Sequence, residues 1–295
     1  MAGGTGNLVK ALRKGLLAVP AAAGLYLMAI RPAAGGRTDD TPLQGHFFAH
    51  RGLHDNKTDA PENSMKAFAK ACEAGYGIEL DIQLSKDGIP VVFHDGTLDR
   101  ACGRPGAVSS FTYEELHGMK LFGSEEAIPS FRDVLALVDG RVPLIVEYKS
   151  EDRDMRICEI ADPMLQAYRG VYCIESFNPL ILLWYRKHRP GVMRGQLSDG
   201  YMQDAQYRRL PGLPLYFSCE YLLFNFLTQP DFIAYNDAYR NNLSRRLCRK
   251  LYRNPAVVWT IKSREQLRDA EDHFDVFIFE GFEPDRGGAS PQSIR

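Results

Sequence analysis

Two histidines, an arginine and a group of carboxylates lie close together between His50 and His94, in text that otherwise reads as strand. The segments are HRG at His50–Gly52, PENS at Pro61–Ser64 and GIELDIQLSKDGIPVVFHD at Gly77–Asp95. Burying charge in apolar strands without a partner is costly. The pattern therefore points to a partner, a divalent cation together with a phosphate. Glu79, Asp81 and Glu147 form an all-oxygen set of the kind hard cations such as Mg²⁺ or Ca²⁺ prefer, with positions left for water and phosphate oxygens. The competing reading makes them surface carboxylates or ion-pair partners of Lys149 and Arg51.

His50 and His94 suit an acid/base pair, because an ordinary imidazole titrates near ~6.5 and can donate or accept a proton around neutrality. Arg51 offers a planar fork for phosphate oxygens, or a salt bridge to Glu62. Glu62 and Asn63 open a helix, where capping alone would account for them. In the functional reading Asn63 orients the phosphate or His50, and Glu62 supports the metal or Arg51. Lys149 stands two residues after Glu147 on the same face and can hold the phosphate or a substrate hydroxyl. His46, His54, His117, His188 and His273 have no motif around them and are read as surface or core. The aromatic run Leu215–Tyr235 is read as core, with a share left for an apolar substrate mouth.

Short β-rich runs alternate with helical patterns from His46 onward. Strands are expected at His46–His50, Gly77–Ile82, Pro143–Tyr148, Val171–Glu175, Val192–Leu197, Asp231–Tyr235, Ala256–Ile261 and Val276–Phe279. Helices are expected at Pro61–Ala74, capped by Asn63 or Ser64, at Phe131–Val138 and at Asn178–Lys187. Asp87-Gly88 signals a hairpin. A two-residue turn there pairs Leu84 with Val91 and brings Asp81 opposite His94, with Glu79 and Asp81 on one face. If Pro90–His94 is only a returning arm, eight βα strands remain. The expected fold is α/β, a TIM (β/α)8 barrel with an N-terminal hydrophobic helix. The site would sit at the C-terminal strand ends.

The chain has 295 residues and a formal charge of −1, so no basic field argues for nucleic acid. Six scattered cysteines, without CxxC or a His-rich partner spacing, argue against a zinc site. The N-terminus differs. Lys10, Arg13 and Lys14 precede the uncharged run Gly15–Ile30, which Pro20 interrupts and Arg31-Pro32 ends. It reads as a membrane anchor, with a cleaved signal peptide and a buried or amphipathic helix as alternatives. The early positive charges favour a cytoplasmic N-terminus and an extracytoplasmic catalytic domain; a secreted or cytoplasmic protein is the alternative. Residues 1–44 are taken as anchor and linker and 45–295 as the barrel domain, so the chain before Gly45 should be dispensable.

The text FAHRG, APENS, GIELDIQLSKDGIPVVFHDGTLDR, IPSFRDVL and VEYKS, from Phe48 to Ser150, closely resembles the glycerophosphodiester phosphodiesterase family. Weaker echoes follow at Glu175–Pro179 and Val258–Lys262. The resemblance implies a TIM barrel, one divalent metal, and hydrolysis of a glycerol-bearing phosphodiester. It implies catalytic roles for His50 and His94, metal ligation by Glu79, Asp81 and Glu147, and Arg51, Asn63 and Lys149 around the phosphate. A phospholipase acting on lysophospholipid or phosphatidyl lipid, related in layout, is the enzymatic alternative. A tethered, inactive binding protein is the other. The chain departs from the family pattern at Trp259–Lys262, WTIK for the common WTVN. It departs again at Phe279–Phe282, where the family's last strand commonly ends in a turn containing TD.

Overall fold

The computed structural model describes residues 20–33, 42–43, 47–150, 153–205, 207 and 212–285. Nine strands form one sheet: β1 (Phe47–His50), β2 (Gly77–Leu84), β3 (Pro90–Val92), β4 (Leu144–Tyr148), β5 (Tyr172–Ser176), β6 (Arg194–Ser198), β7 (Phe232–Asn236), β8 (Ala256–Ile261) and β9 (Val276–Phe279). Eight of them are parallel and close on themselves, because β1 pairs with both β9 and β2. The remaining strand, β3, is antiparallel on β2. This is the expected (β/α)8 barrel.

Strands covered on both faces need apolar residues on both, and the two faces can be told apart here. Ala49, Leu80, Val146 and Val258 pack outward, in the large cluster beneath the helices. Phe48, Ile145, Cys173, Phe232, Val257 and Ile278 fill the lumen. Successive residues alternate sides, so each lumen residue aims a successor at the mouth. Phe48 leads to His50, Ile145 to Glu147, Cys173 to Glu175, Val257 to Trp259 and Ile278 to Glu280. Gly77 leads to Glu79 and Asp81. The floor leaves no space beside its rings: a Cβ on Gly195 would lie 2.1 Å from the Phe232 ring, and one on Gly77 2.6 Å from Phe48.

The helices nearest the site start where short polar side chains satisfy free N–H groups. Ser64 accepts from Ala67 N and opens Met65–Ala74, which Gly75 ends in a left-handed conformation. Ser130 opens Phe131–Val138 and Asn178 opens Pro179–His188.

Three expectations change. The hairpin pairs Leu84 with Pro90, Gln83 with Val91 and Ile82 with Val92, one residue away from the predicted register. Its loop has three residues, Lys86-Asp87-Gly88. Gly88 takes φ 79° and Ser85 N donates to Ile89 O across the loop, as in three-residue hairpins that end on a left-handed residue. Phe93, not His94, then faces Asp81, and its N–H bonds Asp81 O at 3.0 Å. Second, the run Leu215–Tyr235 is only partly core. Phe232 and Leu222 are buried, whereas Leu215, Phe217, Phe226 and Leu227 are about half exposed. Third, the described residues of the N-terminal segment pack on the barrel. Residues 20–29 are helical. Tyr26 Oη bonds Ser244 Oγ at 2.7 Å, Asn225 Nδ2 donates to Ile30 O at 3.0 Å, and Ile30 and Leu43 are core residues. Among the described residues no helix is long and apolar enough to cross a membrane. Lys10, Arg13, Lys14, Gly15–Val19, His46 and much of the proposed linker lie outside the described residues.

Candidate active site

The HRG turn after β1 has a demanding backbone. Arg51 and Gly52 take φ 55° and 83°. Any Cβ on Gly52 would meet Ala67 at 2.9 Å, so only glycine fits against the first helix. Asn63 also takes φ 55°, and its N–H bonds Arg51 O at 2.9 Å. Left-handed backbone at non-glycine residues costs about 1 kcal/mol or more each. The two strained turns hold each other and fix two side chains on the carboxylates. Asn63 Nδ2 donates to Asp81 Oδ2 at 2.9 Å, and Arg51 Nε lies 3.5 Å from the same oxygen.

The sheet register assembles the rest. His50 is level with Glu79, Asp81 with Glu147, and Glu147 with Glu175. Glu79, Asp81 and Glu147 are all buried, with ligand oxygens within 4.8 Å of one another. Burial, followed by Asp81, Glu147 and Glu175, pushes Glu79 well above the usual carboxylate range. Burial lifts Glu147 to about 7, although Lys149 opposes it. Asp81 goes the other way: burial would raise it, but Lys149, His94 and Arg51 together hold it low. The Lys149 ammonium lies 3.1 Å from Asp81 Oδ1 and 2.7 Å from Glu147 Oε1. Three buried carboxylates that resist ionising together are a fitting donor set for a divalent cation, which would relieve that repulsion.

Each predicted catalytic histidine has one nitrogen tied. His50 Nδ1 is 2.6 Å from Glu280 Oε2, with Nε2 3.9 Å from Glu79 Oε2. His94 Nδ1 is 2.7 Å from Asp95 Oδ1. An ionised carboxylate only accepts, so the proton sits on Nδ1 in both rings and Nε2 is the free acceptor. Burial takes His50 down to about 4, against the opposing Glu280 bond, and lowers His94 as well. Each carboxylate is held by a cation in turn: Glu280 by Lys262 at 3.1 Å, Asp95 by Arg100 at 2.6 Å. Arg100 also forks onto Glu62 at 2.6 and 2.9 Å, while Arg51 reaches Glu62 at 2.8 Å. Burial favours the neutral Glu62 carboxyl, but Arg100, Arg51 and Asn56 outweigh it and hold the group at about 2.

These groups surround a cavity of about 440 Å³. Of the residues singled out in the sequence, His50, Arg51, Glu62, Glu79, His94, Glu147 and Lys149 line it; Asn63 and Asp81 lie behind that lining. Glu175, Phe177, Trp259, Lys262 and Glu280 also line it; the sequence marked their segments as family echoes or departures but gave these residues no role, and Arg100 and Asn56, which line it too, were not singled out. Sequence reasoning placed His54 outside the site, and His54 lines the cavity too. Lumen parity could have found Glu175, Glu280 and Trp259. Arg100 closes the family-like text GIELDIQLSKDGIPVVFHDGTLDR without having been given a role there, and no pattern marks Asn56.

A profile of the glycerophosphoryl diester phosphodiesterase family matches residues 50–274. The chain belongs to that family. Among relatives, a glycerophosphodiester phosphodiesterase of Caldanaerobacter subterraneus is 45% identical over 162 residues, 50% of this chain and 65% of that protein. The human glycerophosphodiester phosphodiesterase 1 is 37% identical over 97 residues, 30% of this chain and 28% of that protein. The matched segments thus span less than two thirds of these relatives. Among solved structures, an Oleispira antarctica phosphodiesterase in complex with the product sn-glycerol-3-phosphate has a TM-score of 0.64 at 20% identity, covering 81% of this chain and 94% of that one. All nine candidate site residues singled out in the sequence lie in the stretch matched to the glycerophosphoryl diester phosphodiesterase family, whereas Glu280 lies just beyond it.

Proposed function

We propose that this protein hydrolyses glycerophosphodiesters to glycerol 3-phosphate and an alcohol, using a divalent cation, Mg²⁺ or Ca²⁺, and a histidine pair. The observation that carries this reading is the mouth of the barrel itself. Two histidines with carboxylate-held Nδ1 atoms share one cavity with Glu79 and Glu147, and Asp81 stands behind that lining with its ligand oxygen within 4.8 Å of theirs.

Glu79, Asp81 and Glu147 would hold the cation, which when bound supplies Lewis-acid polarisation of the phosphoryl group. Arg51 and Lys149 offset charge on the phosphate oxygens. His50 is neutral at pH 7, given a value of about 4, and takes a proton at Nε2 from the attacking oxygen. That oxygen is the substrate's own glycerol hydroxyl, giving a cyclic phosphate, or a water. His94 gives a proton to the departing alkoxide. An adjoining phosphate anion favours its charged form, and Asp95 steadies the ring.

A second reading, a phospholipase working at a lipid surface, is favoured by the exposed Leu25, Met28, Leu213, Leu215 and Phe217. These side chains would rest against lipid, with the Gly15–Ile30 run as the point of membrane attachment. A panel of soluble glycerophosphodiesters and micellar lysophospholipids, assayed with Mg²⁺ or Ca²⁺ after EDTA stripping, decides between the two. Glycerol 3-phosphate from the soluble diesters is expected. Turnover confined to micelles would replace this reading with the phospholipase, and no turnover with either metal would leave a binding protein.

A further inference from the structure

His54 has no part in the proposed chemistry, yet both of its ring nitrogens are buried without a hydrogen-bond partner. A buried imidazole with an unmet donor and an unmet acceptor costs about 1–3 kcal/mol per group, so the arrangement calls for a ligand. His50 and Glu280 present ligand-type atoms beside it, and all three residues offer atoms within 4.8 Å of one another. The set forms where the barrel closes. His50 ends β1, His54 lies on the turn after it, and Glu280 follows β9, the parallel neighbour of β1. Its chemistry differs from that of the carboxylate cluster beside it. Two imidazoles and one carboxylate, open to a solvent-filled cavity, suit a borderline metal such as Zn²⁺; three carboxylates suit Mg²⁺ or Ca²⁺. Cysteine spacing could not disclose such a site, because its ligands are brought together by barrel closure from positions 50, 54 and 280.

We propose that His50, His54 and Glu280 form a second cation site, of the zinc class, whose occupation withdraws His50 from proton transfer. His50 Nδ1 faces Glu280 at 2.6 Å and is the nitrogen that binds. Its lone pair goes to the metal, and the ring proton it carried relocates through solvent to Nε2, leaving the proton count of the ring unchanged. Nε2 becomes a donor and no longer accepts from an attacking oxygen. Glu280 Oε1 stays with Lys262, at 3.1 Å. The inhibition rests on the reading of His50 as base; the binding site does not.

The test uses the full chain, stripped with EDTA and then held in excess Ca²⁺ to fill the three carboxylates. Zn²⁺ titrated calorimetrically should bind at one equivalent, and Co²⁺ in its place should show visible bands of a nitrogen-ligated ion. His54→Ala should weaken Zn²⁺ binding by roughly tenfold or more, since even outer-shell partners are worth that much. His54→Asn is measured beside it, so that a folding defect in one variant does not decide the result. Zn²⁺ should also inhibit diester turnover in Ca²⁺, less so in each His54 variant relative to its own zinc-free rate. Zn²⁺ displaced by Ca²⁺, or bound equally well by both variants, would overturn the site. Inhibition undiminished in the variants would overturn its link to His50. Absence of turnover with any metal would count against the hydrolase reading, and the titration would still decide the site.

Discussion

Glu62 shows how much a single side chain can be asked to do at a barrel mouth. Its carboxylate receives Arg51, Arg100 and Asn56 while nearly buried. Its value falls from 4.5 to about 2, a shift worth about 3 kcal/mol. A depressed carboxyl stabilises the fold above its unfolded value, and that contribution fades as pH drops toward the folded one. Glu62→Gln should therefore destabilise the protein most at neutral pH, with the gap narrowing from pH 4.5 downward. Urea unfolding of both proteins at pH 7 and pH 3.5 measures this, and a gap independent of pH would show that the ion pairs do not set it. At this scale the sequence was legible wherever alternation placed charge inside strands, as at Glu79, Asp81 and Glu147. Glu62 itself could be suspected, because it follows a proline at a helix start. Arg100 lay in the family-like text ending DGTLDR, but its pairing with Glu62 could not be read, because it spans 38 positions that no local spacing connects.

At the scale of elements, the strands follow from apolar runs bounded by proline and glycine. The strands Ala256–Ile261 and Val276–Phe279 and the helix Phe131–Val138 fall on the expected residues. The β2–β3 register did not follow, because Asp-Gly fits a two-residue turn and the last two positions of a three-residue loop equally well. The choice was made by Gly88 and the Ser85–Ile89 bond. The aromatic run before β7 misled for a related reason: apolar residues in a connecting segment look like core until the face they present is known. The same parity that aims the site residues upward packs the floor beneath them, so the floor can be probed directly. Gly195→Ala pushes a methyl into the Phe232 ring at 2.1 Å, and overpacking of this kind costs about 1–3 kcal/mol. Gly191→Ala, whose added Cβ would meet no atom within 4 Å, should be neutral. Thermal melting of the two variants checks the contrast, and equal melting temperatures would mean the floor yields more easily than its packing implies.

Over the whole molecule, one closed sheet carries the candidate site, and the described N-terminal residues belong to its support. A truncation before Gly45 looked harmless in the sequence, where Ile30 ended the run read as an anchor and Leu43 sat in text read as linker. Ile30 and Leu43 are 0% and 2% exposed, and each buried side chain of this size contributes about 1.5–3 kcal/mol. Removing residues 1–44 should therefore lower the melting temperature clearly; an unchanged melt would show that these contacts add nothing. The central claim, that a cation held by Glu79, Asp81 and Glu147 works with a histidine pair on a phosphodiester, meets its most direct test in one assay. Full-length wild-type and His94→Ala proteins, stripped with EDTA and then supplied with Ca²⁺ or Mg²⁺, are followed for release of glycerol 3-phosphate from a soluble glycerophosphodiester. Stripped wild type is expected to show no turnover, to recover it on adding metal, and folded His94→Ala to lose about 10²–10⁴-fold. Full activity in the metal-free protein, or near wild-type turnover in folded His94→Ala, would contradict the claim.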